Sequence, residues 1–96
     1  MKIPKTLRIC GQTITIVQKK DPEHEGIKML GLCDANNCTI TLKKNIPNEK
    51  KKEVLLHECI HMICENMNVN ISENTLNTIG VGVLSLLTVN KLDFLQ

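Results

Sequence analysis

The chain reads as an α+β fold. A small antiparallel or mixed sheet of three to four strands should pack on one amphipathic helix and a second, C-terminal helix. Two patterns and one boundary predict this. Residues up to about Lys43 alternate apolar and polar with a strand period, and residues after Pro47 repeat with a helix period. Pro47-Asn48 marks the change between them. At 96 residues, one domain spanning 1–96 is the expectation.

The elements follow in order. Leu7 and Ile9 alternate with Arg8 and Cys10, and Gly11-Gln12 suits a two-residue turn with Gly at its first central position. Ile14 and Ile16 then alternate with Thr13 and Thr15, completing a hairpin. Asp21-Pro22 breaks it, and Glu23-His24-Glu25-Gly26 reads as loop. Ile27 to Cys33 reads as a third strand, and Asp34-Ala35-Asn36-Asn37 as a turn. Cys38 to Lys43 is the clearest strand, with Ile40 and Leu42 on one face and Thr39, Thr41 and Lys43 on the other.

Asn48 is a reasonable N-cap for a helix from about Glu49 to Met67. At 3.6 residues per turn, Leu55, Leu56, Cys59, Ile60, Met62, Ile63 and Met67 share one broad face. His57, Glu58, His61 and Glu65 fall on the complementary face. Asn68-Val69-Asn70 ends this helix, and Ser72 is a good N-cap for a second from Glu73 to about Val89. Lys50-Lys51-Lys52 reads as a solvated face at the first helix's start.

Composition excludes several function classes. There is no Trp or Tyr and only Phe94, so the core must be aliphatic and base-stacking platforms are missing. A net charge of +2 is too small to imply a polyanionic partner, so no nucleic acid is expected. Ile79 to Val89 is too short to span a bilayer, so no membrane partner is expected either. Met1 to Lys5 does not lead into an apolar secretory run, which makes a cytoplasmic location the expectation. The cysteines Cys10, Cys33, Cys38, Cys59 and Cys64 are odd in number, which argues against a disulfide framework. Cys33 and Cys38 flank a turn but lack the CxxC spacing of a cysteine zinc site.

His57-Glu58-Cys59-Ile60-His61 carries the chemistry. Its HExxH spacing puts two imidazoles one helical turn apart, able to share one Zn2+, with Glu58 placed to take a proton from a metal-bound water. A catalytic zinc needs a third protein ligand. Glu65 lies one turn beyond His61, and three successive turns form a line that does not converge on one ion. Glu73 is the better candidate. It shares a helix stripe with Leu76, Gly80, Leu84 and Leu87, where a carboxylate needs a partner and Gly80 would let the helices approach closely. His24 is a candidate for polarising a carbonyl, against the alternative of an exposed loop residue. Asp93 and the C-terminal carboxylate are weaker metal candidates.

With HExxH followed by Glu73, the chain resembles the gluzincin group of zinc metallopeptidases. Its size and element order resemble the minigluzincins and the short ImmA/IrrE-type zincin proteins of phages and mobile elements. The resemblance implies a zincin-like sheet whose edge strand borders the cleft, and Thr39 to Lys43 is the natural candidate for that strand. It implies peptide or protein hydrolysis, with zinc on His57, His61 and Glu73 and with Glu58 as general base. Minigluzincins include latent forms, so the resemblance also implies a latent state with Lys91 to Gln96 lying in the cleft. Gluzincins commonly carry a Tyr or His that stabilises the oxyanion, and this chain has no Tyr. The alternative is therefore a zincin-fold protein that keeps the metal but acts by association, as a mobile-element regulator or inhibitor.

Overall fold

Cys10 and Gly11 turn the first strand into the second. Strand β1 (Thr6–Ile9) pairs antiparallel with β2 (Gln12–Lys19), and Ile9 faces Gln12 across the turn. Both turn residues have positive φ, 50° and 78°, as a type I′ loop demands. The turn is thus one residue earlier than Gly11-Gln12, because Gly fills the second central position. This register puts Leu7, Ile9, Ile14 and Ile16 on one face.

The computed structural model describes residues 3–90. The expected loop at Glu23 to Gly26 is instead a small hairpin of β3 (Glu23–His24) and β4 (Ile27–Lys28), turned by Glu25 and Gly26 at φ 53° and 79°. The expected single strand from Ile27 to Cys33 is broken. Met29 donates its N–H to the Pro22 carbonyl at 2.9 Å, and pairing resumes only at β5 (Gly31–Asp34).

Strand β6 (Thr39–Lys43) completes a four-stranded mixed sheet ordered β1-β2-β6-β5, with β2 and β6 parallel and the outer pairs antiparallel. Thr39 to Lys43 is therefore an interior strand and not the edge. Its apolar face lies between β2 and β5, with Ile40 and Leu42 fully buried. The edge strand beside the first helix is β5.

Helix α1 (Asn48–Met67) packs on β5 and β6, and helix α2 (Glu73–Val89) packs mainly on α1. Pro47 takes the N-cap position of α1, so Asn48 is its first helical residue. Asn68 closes α1 in the left-handed conformation at φ 58°, with the Val69 N–H donating to the Cys64 carbonyl at 2.9 Å. Ile14, Ile40, Leu42, Leu55, Met62 and Leu76 are the largest fully buried side chains, so the core is aliphatic as expected. Each contributes about 1.5–3 kcal/mol by burial. Ile63 and Met67, on the predicted apolar face of α1, are exposed. No helix among the described residues is long and apolar enough to cross a membrane.

Candidate metal centre

The HExxH residues sit in the middle of α1, whose back carries the buried Leu55, Cys59 and Met62. That packing fixes the helix rotation and turns His57 and His61 away from the sheet. Glu73 is the first residue of α2. Ser72 places it there, its Oγ accepting the Thr75 N–H at 3.1 Å.

Glu73 bridges the two imidazoles. Its Oε2 lies 3.3 Å from His57 Nε2 and its Oε1 lies 3.0 Å from His61 Nε2. The two rings meet edge to face with centroids 4.9 Å apart. One ligand atom from each residue falls within 4.8 Å of the others. Tetrahedral zinc with bonds of about 2.0–2.1 Å separates its ligand atoms by about 3.3–3.4 Å. The His57 distance matches that spacing and the His61 distance is about 0.3 Å shorter, each to a different carboxylate oxygen, so two imidazoles and one carboxylate fit a zinc ion in donor type and lie near the separation it needs. The same distances serve imidazole–carboxylate hydrogen bonds, and zinc would replace the shared protons.

Glu58 stays outside this triangle. It is buried at 7% exposure, and its carboxyl is pushed up to about 7 by burial and then by the charge of Glu73. A carboxyl that exchanges its proton near neutrality suits general acid–base work. Gly31, at the start of β5, makes room for it. A Cβ on Gly31 would lie 3.1 Å from both Cγ and Oε2 of Glu58, and 2.5 Å from Cγ1 of Val54. Sequence reasoning passed over Gly31. The available signal was a glycine inside an apolar strand, which marks close approach of another group.

Two hollows adjoin the cluster, of about 300 and 290 Å³. Both are lined by Met29, Gly31, His57 and Glu58, so they form one groove along β5. His24 lines the second hollow but is exposed, with Nε2 3.9 Å from Glu25 Oε1, and does not join the ligand triangle. Glu65 lines the same hollow and is also outside the triangle. Asp93, the C-terminal carboxylate and the Lys91 to Gln96 segment lie outside the described residues.

No family model, no curated protein and no solved structure matches this chain.

The cysteines among the described residues are unpaired. Cys33 lines the second hollow, but burial and then the charges of Glu58 and Glu65 push its thiol up to about 11. Burial likewise pushes Cys59 up to about 12. Both are held as neutral thiols near neutral pH in the metal-free chain. Cys38 stands in the turn at φ 48° with its thiol towards Gln12 Oε1. Of the lysine run, Lys50 pairs with Glu53 at 3.3 Å and Lys51 donates to Gln18 Oε1 at 2.8 Å. Lys52 departs from the expected solvated face: it is buried, its position on α1 turning the long stem inward.

Proposed function

We propose that this chain is a zinc-dependent peptidase of gluzincin type, with His57, His61 and Glu73 holding the metal and Glu58 as general base. The observation that carries this is the position of the Glu73 carboxylate, 3.0 and 3.3 Å from the two motif imidazoles. A zinc ion held there would supply Lewis acidity and lower the pKa of a bound water. Glu58 would take the proton at its carboxylate and pass it to the leaving amine; in the metal-free chain burial and the charge of Glu73 raise its carboxyl.

The edge of β5 suits an extended substrate. Lys43 donates its N–H to the Leu30 carbonyl at 2.8 Å, opposite which the antiparallel ladder alternates. The N–H and C=O groups of Gly31 and Cys33 therefore point away from β6. Among the described residues no strand covers that side. A peptide adding there would run past Glu58 and the ligand cluster.

Cleavage of unstructured peptides by zinc-loaded wild type and Glu58→Gln tests the reading. Loss of cleavage in the variant at equal zinc content is expected. Equal inertness of both, with zinc bound, would favour the alternative of a zinc-binding protein that acts by association.

A further inference from the structure

The two hollows flanking the cluster differ in character. The second carries the polar side chains His24, His61, Glu65 and Glu73. The first is walled by Met29, Leu30, Val54 and Val81, with Lys28, Lys50 and Glu53 beside them. Met29, Leu30 and Val81 are large apolar side chains left exposed at 37%, 44% and 57%. Exposed apolar groups gathered in a concavity mark a binding surface. Lys50 is engaged by Glu53 at 3.3 Å, while Lys28 has no ion pair among the described residues. The volume of about 300 Å³ suits a side chain with its neighbouring backbone, not a folded segment. His57 and Glu58 line this hollow too, so whatever fills it lies directly beside the reacting position.

We infer that the first hollow takes an aliphatic side chain from a residue flanking the scissile bond, and that Lys28 selects an acidic residue next to it. The substrate class is then an extended peptide with an aliphatic–acidic pair. This rests on the peptidase reading of the cleft.

Binding tests this apart from catalysis. The zinc-loaded Glu58→Gln protein is titrated, by fluorescence anisotropy, with labelled blocked hexapeptides. One carries Leu followed by Glu at its centre and one the reverse order; matched versions replace Leu by Ala or Glu by Lys. In at least one order, the Leu–Glu peptide binds about tenfold tighter than its Ala version. It binds about threefold to fivefold tighter than its Lys version. Val81→Arg removes the preference for Leu, and the exposed substitution Lys28→Glu inverts the preference between Glu and Lys. Equal affinities across the set, or no binding of any peptide at millimolar concentration, overturn the inference. Zinc-dependent, Glu58-dependent cleavage of a random peptide library without this preference would overturn it while leaving the peptidase reading intact. Absence of any such cleavage would count against the peptidase reading itself.

Discussion

Gly31 and Glu58 are in contact across the boundary between sheet and helix: a Cβ on Gly31 would stand 3.1 Å from the Glu58 Oε2. The glycine's missing side chain is the space in which the carboxylate sits. This ties the edge strand to the proposed general base. It also places the open backbone groups of β5 beside the group that would handle the proton.

Substitution at this glycine should therefore be costly. Gly31→Ala drives a methyl into Val54 Cγ1 and the Glu58 side chain and should destabilise by about 1–3 kcal/mol in urea unfolding. Gly80→Ala is the control. Its Cβ would meet Ile60 Cδ1 at an ordinary 3.6 Å, so the close helix approach does not require a glycine there. That change should stabilise α2 by about 0.5–1 kcal/mol. Equal effects at the two positions would contradict the packing described.

The raised Glu58 carboxyl makes the metal-free protein pH-sensitive. Below its ordinary value of 4.5, Glu58 is protonated folded and unfolded, and contributes nothing to the difference. As pH rises towards about 7, the folded state holds a proton that the unfolded state has lost, so this group's contribution to stability falls. Glu58→Gln should therefore be more stable than wild type by about 1–3 kcal/mol near pH 8 without metal. The advantage should vanish near about pH 4. Denaturant unfolding of chelator-treated protein at both pH values measures it. A pH-independent difference would exclude the titration.

Thiol reactivity should separate the cysteines. Cys10 is exposed in its turn, whereas Cys33 and Cys59 are held at about 11 and 12 by burial and nearby carboxylates. Alkylation near neutral pH, read by peptide mass spectrometry, should modify Cys10 first and Cys59 last. Fast modification of Cys59 in the folded protein would contradict its placement in the core.

The Ser72 cap positions the proposed carboxylate ligand. Ser72→Ala removes the acceptor of the Thr75 N–H and should cost about 0.5–2 kcal/mol of stability. Fraying the first turn of α2 should also weaken zinc binding through Glu73, measurable by competition with a chromogenic chelator. Ser72→Asp, which keeps a capping oxygen, should restore most of both losses.

Local patterns made most of the fold legible. Alternation at Ile14, Ile16, Ile40 and Leu42 marked the core strands, and Ser72 marked the start of α2 because capping is a short-range signal. Strand order was not legible. Whether Thr39–Lys43 lies inside or at the edge depends on pairing with β2, more than twenty residues earlier, and nothing local encodes a parallel partner. The hairpin at Glu23–Lys28 was missed because it needs left-handed backbone at Glu25, a residue with little preference for it. In the site, HExxH spacing pointed to His57, Glu58 and His61, and the apolar stripe of α2 pointed to Glu73, although its side chain is 67% exposed and not buried as that stripe implied. The role of Gly31 was hidden because its partner Glu58 comes from a different element.

Zinc stoichiometry tests the central claim most directly. Wild-type protein, freed of metal and then dialysed against limiting zinc, should retain one ion per chain by elemental analysis. His57→Ala and His61→Ala should lose it, Glu73→Ala should bind at least about tenfold more weakly, and Glu65→Gln should bind as wild type does. Absence of zinc from the wild type at any concentration, or wild-type affinity in Glu73→Ala, would contradict the site built on these three residues.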